Sequence, residues 1–193
     1  MQAEPASAGA AAIEAAVAAL RRGGVIAYPT EAVYGLGCDP WCETALARVF
    51  ELKQRPMTQG VLLIAADFAQ VEKYIDVAAL PAAALARVRA SWPGPHTWVM
   101  PRAASVPPWL ARAHSGIALR ITAHPLAARL CAEFGDALVS TSANRHGQPP
   151  ARDAAAVQAA FSGELAYILD GAVGGLERPT PIRDAISGDE LRG

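Results

Sequence analysis

Short apolar runs alternate with helix-spaced segments along the whole chain, and that alternation limits the fold more than any other feature. The runs at 25–28 (Val25-Ile26-Ala27-Tyr28), 61–65 (Val61-Leu62-Leu63-Ile64-Ala65), 98–100, 116–121, 137–139 and 166–169 have the length and side chains of buried strands. Helical spacing is expected over 11–22, where Ile13, Val17 and Leu20 share a face and Gly23-Gly24 closes the element. Further helices are expected over 42–53, 67–75, 81–90, 125–134 and 153–161, the last capped by Asp153. Pro125 suits a first helical turn, and Gly135 suits the stop that follows it. Residues 106–112 read as a short helical or irregular piece. Ser91-Trp92-Pro93-Gly94-Pro95-His96-Thr97 reads as a rigid turn.

This interleaving predicts an α/β fold with a central sheet. With 193 residues, no internal repeat and no long linker, the chain reads as one domain over 11–193 behind a flexible 1–10. The tail from Pro179 to Gly193 reads as short and charged.

Charge narrows the function. Seventeen Lys and Arg against eighteen Asp and Glu leave a net charge of −1, so no global field draws in nucleic acid. Cys38, Cys42 and Cys131 form no C-x-x-C pair and no disulfide framework, as in a cytosolic protein. No apolar run reaches about 18 residues, and the Ala-rich start lacks the basic segment of a signal peptide, so a cytoplasmic protein without a membrane span is expected.

Chemistry has to be assembled from separated stretches. No G-x-x-x-x-G-K-[ST] loop and no G-x-G-x-x-G after a strand is present. Lys53 and Arg55 end the 42–53 helix at a solvent-facing tip, and Pro56 stops it. Their charge alone is accounted for by the negative end of the helix dipole. Arg120 interrupts an apolar strand, so it needs either a partner, Glu31 or Asp39, or a cavity to face. Thr30-Glu31 and Ser140-Thr141-Ser142-Ala143-Asn144 both follow strands, where open α/β sheets bind ligands. Two polar loops and a cationic helix end together predict a shared anion site. The histidines, His96, His114, His124 and His146, are dispersed and form no metal set or triad.

In order, Tyr28-Pro29-Thr30-Glu31-Ala32-Val33-Tyr34-Gly35-Leu36-Gly37, Lys53-Gln54-Arg55-Pro56, Trp92-Pro93-Gly94-Pro95-His96-Thr97, Leu119-Arg120-Ile121, Ser140-Thr141-Ser142-Ala143-Asn144 and Ile182-Arg183-Asp184 resemble the YrdC-like family. The likeness is to its short bacterial TsaC-type members, the threonylcarbamoyl-AMP synthases, and runs from about Ala11 to Gly193.

The resemblance implies a twisted mixed sheet flanked by helices, with an open, positively lined groove. It implies the reaction of L-threonine, bicarbonate or CO2 and ATP to threonylcarbamoyl-AMP and pyrophosphate. It implies Lys53 and Arg55 as catalytic triphosphate contacts, and Asn144, Arg152, Thr180 and Arg192 as further ATP contacts. Thr30, Arg120 and Ser142 are the implied threonine residues. Mg2+ is expected with ATP, held mainly by its phosphates and by no protein metal site. Downstream proteins that transfer the threonylcarbamoyl group to tRNA are the implied partners, with weak tRNA binding in the groove. The chain departs from the family pattern at Ala32, Gln59, His146-Gly147 and Thr180-Pro181. Hydrogenase-maturation carbamoyltransferases share this domain but carry extra domains that 193 residues do not hold. The alternative is a double-stranded RNA or tRNA-binding factor without catalysis, which the near-neutral charge disfavours.

Overall fold

Strands β1 (Ile26–Pro29), β2 (Tyr34–Gly37), β3 (Leu62–Ala65), β4 (Thr97–Pro101), β5 (Gly116–Ile121), β6 (Leu138–Ser142), β7 (Tyr167–Ile168), β8 (Ile182–Asp184) and β9 (Glu190–Arg192) form one sheet among the described residues. The computed structural model describes residues 5–56, 60–111, 114–178 and 180–192. The strand order is β7-β1-β2-β6-β3-β5-β4-β8-β9. Pairing is mixed: β3 with β5, β4 with β8 and β1 with β7 run parallel, whereas β1–β2, β2–β6, β3–β6, β4–β5 and β8–β9 are antiparallel. The helices are α1 (Pro5–Arg21), α2 (Glu43–Lys53), α3 (Phe68–Glu72), α4 (Ala82–Ala90), α5 (Pro108–Ala111), α6 (Pro125–Phe134) and α7 (Ala154–Phe161).

Period-two alternation assigns the two faces of the sheet. Ile117, Leu119 and Ile121 of β5, Leu63 and Ala65 of β3 and Val139 of β6 enter the larger core with Leu46, Val49 and Phe50 of α2. On the opposite face, Ile26, Tyr28, Ile64 and Leu138 pack under Ile13, Val17 and Leu20 of α1 and Leu130 of α6. That second face is covered at only one end. Further along it the strands present Gly116 and Ala118 of β5, Leu62 of β3 and Ser140 and Ser142 of β6, and the space above them is a cavity.

β5 and α6 have the expected bounds. α1 begins at Pro5, inside the 1–10 stretch expected to be flexible, and residues 1–4 lie outside the described region. Ala is the best intrinsic helix former, so the Ala-rich lead extends the patterned part. α2 closes at Gln54, in left-handed conformation (φ 53°, ψ 42°), two residues before Pro56. The tail, expected only to be short and charged, holds two strands: β8 extends the sheet beside β4, and β9 turns back on it. Arg112 and Gln59 lie outside the described residues.

Candidate functional site

A cavity of about 740 Å³ lies along β5, with Gly116, Ala118 and Arg120 on its floor. Gly116 and Ala118 keep their part of that floor low. A Cβ on Gly116 would come within 2.5 Å of Val99, and one on Gly35 would stand 3.2 Å from the Ser140 hydroxyl. Val61, Leu110, Ile182 and Leu191 give the cavity an apolar part. Thr30, Arg55, Arg120, Ser140, Thr141, Ser142 and Thr180 give it a polar part.

Arg120 is the buried charge of the site, 4% exposed. Its Nη2 lies 3.2 Å from Glu31 Oε2, one of the two partners, Glu31 or Asp39, expected from sequence. Its Nη1 donates to the Thr180 hydroxyl. Glu31 Oε1 accepts from the Thr122 hydroxyl at 2.7 Å and from Ala123 N–H at 3.2 Å. Burial pulls the Arg120 pKa down, and the Glu31 charge pushes it back. Among the described residues Arg120 Nε has no hydrogen-bond partner.

Ser142 ends β6, where the ladder sets it opposite Gly35 of β2. Its hydroxyl donates to Asn144 Oδ1 at 2.7 Å. Thr30 donates its hydroxyl to Val33 O at 2.7 Å, closing the turn between β1 and β2. Arg55 Nη1 lies 3.4 Å from the Thr141 hydroxyl, so the left-handed turn at Gln54 delivers this guanidinium to the wall beside Ser142.

Lys53 is placed differently from its expected solvent-facing tip. It is 2% exposed, and its ammonium donates to Ser142 O, to Asn144 O at 3.1 Å and to Asn144 Oδ1 at 3.0 Å. These are uncharged acceptors. Burial first, and the Arg55 charge second, hold its pKa down at about 8.

Five of the nine residues named from sequence therefore share the cavity wall: Thr30, Arg55, Arg120, Ser142 and Thr180. Lys53 and Asn144 stand directly behind Ser142. The Asn144 amide donates to Gln148 O at 2.7 Å and Arg145 O at 3.2 Å. Arg152 is exposed, and its Nη2 donates to Leu176 O at 3.3 Å, just beyond the wall residue Pro150. Arg192 is in β9, opposite Ile182.

Sequence reasoning missed His114, Ser115, Tyr34, Pro150 and Leu191 as wall residues. Nothing local marked His114 apart from the other histidines. Among the described residues no group of three His, Cys, Asp or Glu side chains is placed to hold a metal ion.

A family model for Sua5/YciO/YrdC proteins, described as telomere recombination, matches residues 18–192. The chain is 53% identical over 180 residues to a threonylcarbamoyl-AMP synthase of Xanthomonas campestris pv. campestris, covering 93% of this chain and 96% of that protein. It is 55% identical over 180 residues to the threonylcarbamoyl-AMP synthase of Stenotrophomonas maltophilia, covering 93% and 97%. The crystal structure of P. abyssi Sua5 complexed with L-threonine superposes with a TM-score of 0.83 at 32% identity over 89% of this chain. This chain spans 50% of that longer one. A family match across nearly all of the fold, cavity walls included, establishes that the chain belongs to the Sua5/YciO/YrdC family.

Proposed function

We infer that this protein is an L-threonylcarbamoyladenylate synthase, a nucleotidyltransferase that converts L-threonine, bicarbonate or CO2 and ATP to threonylcarbamoyl-AMP and pyrophosphate. One observation carries this reading: a single cavity joins Arg55 to the Thr30, Arg120 and Ser142 groups. A triphosphate fits beside the first and a small hydroxy amino acid beside the second. The names of the relatives from Xanthomonas and Stenotrophomonas, and the threonine in the P. abyssi Sua5 structure, support the same assignment.

The threonine amine adds to CO2, losing a proton, to give a carbamate. A carbamate oxygen then forms a bond to the α-phosphorus as the bond to the bridging oxygen breaks, and the electron pair leaves with pyrophosphate. Such a transfer needs positioning and charge stabilisation more than a protein nucleophile. Arg55 and the threonine-side groups supply position. Lys53 and Asn144 support the wall behind Ser142, and Thr180 orients Arg120. In this proposal Mg2+ accompanies the ATP phosphates. Cytoplasmic location and hand-over of the adenylate to proteins that modify tRNA belong to the same reading.

Pyrophosphate release from ATP, measured with and without L-threonine and bicarbonate, tests it. Release is expected only when both are present. Release that ignores threonine overturns the reading, and salt-dependent tRNA binding with no release favours an RNA-binding factor.

A further inference from the structure

Four carbonyls at the end of α2 have no partner within the helix, as at every helix C-terminus. Two are taken by the chain's own turn: Glu51 O accepts from Gln54 N–H at 2.9 Å, and Phe50 O from Arg55 N–H at 3.1 Å. The other two are taken from across the fold. Lys53 O accepts from His146 N–H at 2.9 Å, and Leu52 O accepts from Arg145 Nη1 at 3.3 Å. Arg145 Nε meanwhile donates to Ala160 O at 3.2 Å, in the last turn of α7. One guanidinium thus bridges two helix ends, with its Cζ 5.3 Å from the centroid of the Phe161 ring and an ion pair to Glu164. A cation at both negative helix ends is favourable, and only a forked side chain reaches both.

The bridge bears on the cavity unevenly. Thr30, Arg120 and Ser142 are set by β-strands or the turn between them. Arg55 and Asn144 lie on connecting segments, and what fixes one against the other is the junction of α2 with the 144–148 loop. We propose that Arg145 is a positioning residue for the nucleotide side of the site, holding Arg55 at the end of α2 against the 144–148 loop, while Thr30 and Arg120 on the threonine side stand without it. This rests on the functional reading above.

The test measures pyrophosphate release and calorimetric ATP affinity for wild type, Arg145→Ala, Arg145→Lys and Glu164→Gln, below their melting temperatures. Arg145→Ala is expected to raise KM and Kd for ATP about fivefold or more, with KM for threonine within about twofold. Arg145→Lys keeps the charge but loses the fork, and is expected to lie closer to the alanine variant than to wild type. Glu164→Gln is expected to match wild type, because a half-exposed ion pair contributes little. Unchanged ATP constants in Arg145→Ala overturn the proposal. So does a parallel rise in the threonine and ATP constants, which marks general loosening. So does a Glu164→Gln variant as impaired as Arg145→Ala. If wild type binds ATP but releases no threonine-dependent pyrophosphate, the functional reading fails while the ATP affinities still decide the role of Arg145. No ATP binding by wild type ends both.

Discussion

Lys53 carries a charge into the interior, where its acceptors among the described residues are the uncharged oxygens of Ser142 and Asn144. Its pKa is about 8, against an ordinary 10.5, for which burial is the larger cause and Arg55 the smaller. Between those two values the unfolded chain keeps a proton on this side chain that the folded protein has released. Stability therefore rises with pH across that window, and the charged form costs stability below it. Lys53→Met keeps the length and removes the charge. The advantage of wild type over this variant in melting temperature is expected to grow as pH is raised from about 7 to about 10. A difference that stays flat across that range would mean that Lys53 does not titrate there. The sequence placed this residue beside Arg55 correctly but not its depth. A cation at a helix end reads as solvated until the fold lays other backbone over it, and the end of β6 that covers it lies 89 residues away.

β5 shows how much of an element sequence can give. Its bounds were legible because an apolar run of strand length ends cleanly at both sides, and Arg120 marked the face that had to find a partner or a cavity. α6 was legible from Pro125 and Gly135, its start and stop residues. β8 and β9 were not: three residues each carry too little pattern, and they become strands only because β4 offers β8 an edge. The cavity was legible as a set of polar residues at strand ends. Its size was not, because it depends on which strands lie side by side and leave small residues adjacent. Ala118 sits in that floor beside Gly116. Ala118→Leu directs its added carbons into open space, so the fold is expected to hold, with a melting temperature equal to or above that of wild type. Pyrophosphate release is expected to fall about tenfold or more, because the volume that positions the reactants is taken. Full activity with a stable fold would place the reactants elsewhere.

Across the whole molecule, one stretch of backbone ties the two sides of the sheet together over the site. After β7 the chain runs past β1 and β2 and reaches β8 beside β4. It is held by Tyr34, whose hydroxyl donates to Gly171 O at 2.7 Å, and by His124 Nε2, 3.0 Å from Ala172 O. Gly174 N–H then donates to Thr30 O at 2.9 Å, Leu176 N–H to Glu31 O at 3.1 Å, and Thr180 receives Arg120. The stretch thus fixes the residues that hold both Thr30 and Arg120. Its closest approach is at Gly174, where a Cβ would stand 2.6 Å from Glu31 O and 2.9 Å from Glu31 Cα. Those are backbone atoms of a turn that is itself buried, so they cannot swing aside as a side chain does. Gly174→Ala is therefore expected to lift the crossing stretch, costing about 1–3 kcal/mol by chemical denaturation and lowering pyrophosphate release in the surviving folded protein. Gly175 has nothing within 4 Å of its Cβ position, and Gly175→Ala is the matched control, expected to behave as wild type. Equal effects at the two glycines would mean that the close approach at Glu31 has no part in holding the site.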